Sequence, residues 1–480
     1  MFSSRLPKDL DPSPFFAELE AAKAEVRVAC EGAAGGKDCA EMQATGKDSA
    51  AASVKSDSRK DSASFIDMTV SSPLRVGMPF DLAPAVDEAK ADFGTWVADA
   101  AGRKEAREAV AEYYRERGGW FSAEQILLTA STSEAYSILF KTFCDPGDVI
   151  MTPMPGYPLL DTLAQLEHLE CYPYFLKLAR EKERCLKSGF QNNLGKNQNG
   201  VKEASSKDDN AHSSLLRTQS SFRFVIDTDS LLSAPDNAKI LLLVSPHNPT
   251  GHCVSEKEWN EIVAFCEQRN MVLVVDEVFG DYAIDPKVKR SWEYIRRETR
   301  DERREIVNER RDDFEGGRET LPKCPIFWLN GLSKTVGSPQ LKLGWMAFYA
   351  PEKDFEPIRA ALEFVADAYL SVSAPAQALA KPMLTHAAAY EAAICERLQT
   401  NWATLRAAFP SKYCPEVLGG WYAALRLGDD DEELTLRLLR EKHLLVQPGF
   451  FFDFDEDGWV VVSLLQPPEI FAEGVHRMLL

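Results

Sequence analysis

Residues 240–251 read ILLLVSPHNPTG. Five apolar residues in a row leave no wet face, so the run suits a strand covered by helices on both sides. The Ser, Pro, Asn and Gly that follow end it in a turn. Two later runs share this build: MVLVV (271–275) leads into DEVFGDY (276–282), and IFWL (326–329) into NGLSK (330–334). Helical periodicity fills KEWNEIVAFCEQRN (257–270) between the first two. Upstream, the helical stretch 103–116 precedes ILLT (126–129), and SEAYSILFKTF (133–143) precedes the turn DPGD (145–148) and VIMT (149–152). Strands alternating with helices predict an α/β chain whose sheet is mostly parallel.

In such a sheet ligands gather beyond the carboxyl ends of the strands. The three buried runs end near Asn248, Asp276 and Lys334, which are therefore expected to meet in one cleft. An amide, an acid and an amine suit a cofactor with a phenolic oxygen, an ionisable ring nitrogen and an aldehyde. Pyridoxal 5′-phosphate carries all three.

SPHNPTG, DEVF and SK, in this order and spacing, resemble the pyridoxal-phosphate enzymes of fold type I, in particular the class I/II aminotransferases. DPGD, PGYP (155–158) and VQPGFFFDF (446–454) match further segments of that pattern. The resemblance implies a large domain with a mostly parallel seven-stranded sheet between helices, a smaller α/β domain, and a homodimer. It implies a Schiff base on Lys334, whose freed amine then moves the substrate proton, with Asp276 keeping the pyridine nitrogen protonated. Asn248 would donate to the phenolic oxygen and Tyr157 would stack on the ring. Ser131, Thr132 and Ser133, at the start of a helix, are the expected phosphate ligands, and Ser333 is a further expected cofactor-binding residue. Lys342, eight residues after Lys334, stands where the family usually has an arginine. Ser131 and Glu134 also fit an S-x-x-E capping box that needs no ligand.

The chain departs from the family at four places. Phe279 replaces the tyrosine of DEVY, Gly331 stands where many members have a serine, and Trp96 falls where a neighbouring subunit's tyrosine often reaches the phosphate. The arginine of a late R-x-S strand, which grips the substrate carboxylate, is Val461 here, so a charge-assisted pair must come from elsewhere. Arg75, in DMTVSSPLRVGMPF (67–80), is the candidate, with Arg426 the second choice. Trp421 reads as core-facing, although the resemblance places it near the substrate.

With 480 residues and 45% hydrophobic composition the chain can bury a large core. Its 55 Lys and Arg against 74 Asp and Glu give a net charge of −19, which disfavours nucleic acid and anionic membranes as partners. The ten cysteines form no CxxC pair, and the start MFSSRLPKDLDPSPFF lacks a leader-like apolar stretch, pointing to the cytoplasm. Apolar runs fall short of the about 20 residues a membrane helix needs. Residues 31–63 and 181–221 are small, polar and aperiodic and read as insertions, and the charge-dense 287–318 reads as a third, solvated one. Residues 1–85 would then contribute to the small domain, 86–350 form the large domain, and 351–480 the small C-terminal domain. The leading function is transamination between an amino acid and a 2-oxo acid. The same scaffold also supports β-elimination by a C–S lyase, or a cofactor-binding module without catalysis.

Overall fold

The computed structural model describes residues 13–33, 64–78, 81–182, 220–295, 321–370 and 372–479. Its strands are β1 (Ile66–Asp67), β2 (Ile126–Thr129), β3 (Val149–Met154), β4 (Glu170–Lys182), β5 (Ser220–Ile226), β6 (Ala238–Val244), β7 (Val272–Asp276), β8 (Ile326–Gly331), β9 (Gly344–Tyr349), β10 (Tyr422–Arg426), β11 (Leu444–Leu445), β12 (Gln447–Pro448) and β13 (Trp459–Ser463).

The large sheet has the order β2-β9-β8-β7-β6-β3-β4-β5. Strands β4, β3, β6, β7 and β8 run parallel to their neighbours in this series, and β9 runs antiparallel to both β8 and β2. The sheet thus has eight strands where seven were expected, because β5 adds an antiparallel edge to β4 from Lys182↔Ser220 to Leu176↔Ile226. Side chains alternate between the two faces, as the period of a strand requires. Leu241, Leu243, Leu273, Val275 and Trp328 pack on one side with Trp259 and Ile262 of the helix Glu256–Arg269. Ile240, Leu242, Val274, Phe327 and Leu329 pack on the other with Ile138 and Leu139 of the helix Thr132–Phe143. Burial on both faces explains why these runs have no polar alternation.

Two smaller sheets lie beyond it. Strands β10, β13 and β12 pair antiparallel, and β1 pairs in parallel with β11. The segment leaving β1 stays tied to β13, since Ser463 N donates to the Met68 carbonyl at 2.7 Å.

Most of the three expected insertions lies outside the described residues. The parts inside are regular: 31–33 end the helix Pro14–Ala33, while 181–182 and 220–221 belong to β4 and β5. Residues 287–295, expected to be a solvated face, instead bury Ser291 and Trp292. Charge spacing along a chain does not reveal that Arg290 has a buried carboxylate, Asp281, as its partner.

Candidate active site

Strands β2, β3, β6, β7 and β8 end at one edge of the sheet, and β9 begins there. The register sets Val244 beside Asp276, Asp276 beside Leu329, and Gly344 between Gly331 and Thr129. Asp276 closes β7, and the segments that follow the strands carry Ser131–Ser133, Tyr157, Asn248, Ser333 and Lys334 to the same edge. Lys342 lies two residues before β9 and joins them from the opposite chain direction.

Gly331 and Gly344 are needed by this crowding. A Cβ on Gly331 would lie 2.9 Å from the Gly344 Cα, and one on Gly344 would lie 3.1 Å from the Ser131 carbonyl carbon. The serine common at position 331 in the family would therefore force these backbones apart.

Lys334 sits in the four-residue helix Leu332–Thr335, directly after β8. Tyr282 donates its hydroxyl to the Lys334 carbonyl at 2.5 Å, and Nζ stands 4.8 Å from the ring centre of Trp421 and 5.3 Å from that of Phe279. Burial lowers the amine's pKa to about 8, with Asp276 opposing the shift. Asp276 accepts from Tyr136 Oη at 2.8 Å through Oδ2 and from Val278 N at 3.1 Å through Oδ1. Burial raises its carboxyl above the usual range, and these two donors and Lys334 offset only part of that rise.

Ser131 caps the helix Thr132–Phe143, its Oγ accepting from Glu134 N at 3.2 Å. Glu134 reaches back to Ala130 N at 2.6 Å rather than to Ser131 N, so the capping reading holds on one side only. Thr132 and Ser133 open the helix and are half-buried. Asn248 keeps a buried Oδ1 without a partner among the described residues. His247 bonds Thr250 through Nδ1 at 2.9 Å, and burial lowers its pKa to about 3, so it stays neutral. Tyr157 is 46% exposed, and Lys342 is exposed in a left-handed conformation at φ 51°.

Arg75 lies on the short 3-10 turn Pro73–Val76 and its side chain is exposed. Arg397 Nη1 holds this turn by donating to the Val76 carbonyl at 2.9 Å and the Leu465 carbonyl at 3.3 Å. Ser71 of the same strip is hydrogen-bonded to Tyr422, whose ring is 5.9 Å from Phe279. Arg426 points instead to Glu456 at the surface. Trp421 is fully buried, yet its ring meets the Lys334 amine, so the core-facing and site-facing readings describe one position.

Sequence reasoning missed Tyr136, Tyr282 and Tyr422. Tyr136 lies four residues after Thr132, one helical turn on, which was a usable signal. Beneath the site lies a buried ionic cluster that no motif announced. Asp281 pairs with Arg290, accepts from Tyr113 Oη at 2.6 Å, and lies 3.4 Å from Arg117 Nε. Burial raises the Asp281 carboxyl, but the two guanidinium groups more than offset this and hold it below its ordinary value. Neighbouring Glu277 accepts from Ser291 N at 2.9 Å, and burial pushes it up to about 7 against the pull of Arg290.

The single mutant of Thermus thermophilus aspartate aminotransferase superposes with a TM-score of 0.68 at 18% identity, covering 100% of this chain and 99% of that one. The fold is that of the pyridoxal-phosphate enzymes of fold type I. The model of the family "Aminotransferase class I and II" matches residues 85–470, and the chain belongs to that family. A tyrosine aminotransferase of Caenorhabditis elegans is 23% identical over 250 residues, 52% of this chain and 40% of that protein. A glutamate-pyruvate aminotransferase of Escherichia coli is 22% identical over 407 residues, 79% of this chain and 83% of that protein.

Proposed function

We propose that the protein is a pyridoxal-phosphate-dependent aminotransferase that moves an amino group between an amino acid and a 2-oxo acid. The observation that carries this reading is the placement of the half-buried Lys334 amine, directly after β8, beside the Asp276 carboxylate that ends the neighbouring β7, with burial pulling the amine's pKa down to about 8. An amine that loses its proton near neutrality is the kind that attacks a carbonyl. The residues fit the cofactor: Asn248, whose buried Oδ1 has no partner among the described residues, also carries an amide NH2 that can donate to a phenolic oxygen, and the helix Thr132–Phe143 starts at the same sheet edge for a phosphate. Pyridoxal phosphate, when bound, supplies an aldehyde and an electron-withdrawing pyridine ring.

Lys334 would hold the aldehyde carbon and, once released, carry the proton that leaves the substrate α-carbon. Asp276, oriented by Tyr136 and Val278 N, would keep the ring nitrogen protonated. Asn248 would bond the phenolic oxygen and Tyr157 cover the ring, and Ser131, Thr132, Ser133, Ser333 and Lys342 would bind the phosphate. Arg75 would take the substrate carboxylate, because its strip is docked on β13, the strand where Val461 leaves that charge missing. Trp421 would line the substrate side.

A homodimer belongs to the proposal. Trp96 (74% exposed) and Leu370 (77% exposed) line one cavity and leave apolar surface that a second copy would cover. A cytoplasmic location is supported by eight free cysteines among the described residues. The deciding experiment is borohydride reduction of the protein loaded with pyridoxal phosphate, followed by peptide mapping. Label on Lys334, with conversion of the cofactor to its amine form by an amino acid, is expected. Label elsewhere sinks the reading, and pyruvate release from cystathionine without a 2-oxo acid would redirect it to a C–S lyase.

A further inference from the structure

Phe279 removes a hydroxyl from beside Lys334, and what the amine meets instead is aromatic carbon. Its Nζ lies 4.8 Å from the Trp421 ring centre and 5.3 Å from that of Phe279, and these two rings pack at 5.2 Å and 60°. Tyr282 supports Trp421 from 5.0 Å, but its hydroxyl is engaged by the Lys334 carbonyl. The Trp421 ring is fully buried, and its Nε1 has no partner among the described residues. Leaving that N–H unsatisfied costs stability, which the packing of the ring against Phe279 and Tyr282 offsets, and the same ring is what the Lys334 amine meets.

We propose that the ring faces of Trp421 and Phe279 form a seat for the protonated, unattached amine of Lys334, making Trp421 a catalytic residue that sets how firmly the amine holds a proton. The inference rests on the reading of Lys334 as the reactive amine. An ammonium over an aromatic face is attracted by the ring quadrupole, and more strongly where water is excluded. The titratable group that acts on this amine is Asp276 at the end of β7; Tyr282, on the turn after it, bonds the Lys334 carbonyl, and Tyr136 bonds Asp276. Burial raises both tyrosines well above their ordinary range, so neither is ionised near neutral pH. Burial drives the amine towards its neutral form and the ring seat opposes it. The balance keeps both forms within reach near neutrality, which is what a group that accepts and returns the substrate α-proton requires.

The test follows the rate at which apoprotein takes up pyridoxal phosphate as a function of pH, with every sample reduced by borohydride and mapped. In W421L the apparent pKa of uptake is expected to fall by roughly half a unit to one unit, so that the neutral fraction at pH 7 rises about three- to six-fold. W421F keeps a ring face and is expected to recover most of the wild-type value. F279L, which removes the more distant ring, is expected to give a smaller fall and decides the matter if W421L does not fold. Unchanged pKa values in the folded variants, with only a lower melting temperature, overturn the seat and leave the aminotransferase reading intact. Absence of label on Lys334 in the wild type overturns both.

Discussion

The edge of the large sheet and the N-terminal strip that faces it are built by opposite means. At the edge, Asp276 and Lys334 leave strands buried on both faces, and side chains from other elements hold each of them: Tyr136 for the Asp276 carboxylate, Tyr282 for the Lys334 backbone. In the strip, Arg75 rides on one 3-10 turn held through backbone carbonyls by Arg397, with its own side chain exposed. The contrast separates two jobs. On the proposed reading the rigid floor would keep the bond-making groups in register, while Arg75 on the docked strip would set substrate grip without disturbing that floor.

Five substitutions probe this division. Lys334→Ala should abolish covalent cofactor capture and cut turnover by roughly 10⁴-fold, read from absorbance and steady-state rates. Arg290→Met leaves Asp281 buried beside Arg117 alone, so thermal or urea unfolding should register a loss of about 3–5 kcal/mol. An unchanged midpoint would show that the floor does not need its ionic underside.

Glu277 has a folded pKa raised by burial from 4.5 to about 7, so the native state holds a proton that the unfolded chain releases earlier. Stability should therefore fall as pH rises from 4.5 to 7, by up to about 3 kcal/mol from this group. Glu277→Gln should flatten that part of the curve of melting temperature against pH. Arg75→Ala should raise the amino-acid KM about 10- to 100-fold, the worth of one charge-assisted hydrogen bond, with cofactor affinity nearly unchanged. Equal loss of both would merge strip and floor into one unit. Tyr136→Phe removes one donor to Asp276 and should raise that carboxyl's pKa, weakening cofactor binding by about 1 kcal/mol in equilibrium titration.

The floor was legible because its signals are local. A buried strand writes itself as an uninterrupted apolar run, and the polar turn that follows it must lie at the sheet edge, where Asp276 and Lys334 fall. The extra strand β5 was not legible, since Ser220–Ile226 pairs with β4 across a long intervening stretch. Nor was the cluster of Asp281, Arg290, Arg117 and Glu391: Asp281 and Arg290 are near neighbours in sequence, but Arg117 and Glu391 come from distant parts of the chain.

Alone, the order of residues determined which strands would be buried, where their polar ends fall and which side chains suit a carbonyl cofactor, because these follow from periodicity and turn chemistry over a few positions. Tertiary structure alone decided that Trp421 and Phe279 face the Lys334 amine, that Tyr136 holds Asp276, and that the strip bearing Arg75 docks on β13. Those contacts join residues far apart in the chain, and their distance and burial exist only once the chain has closed around them.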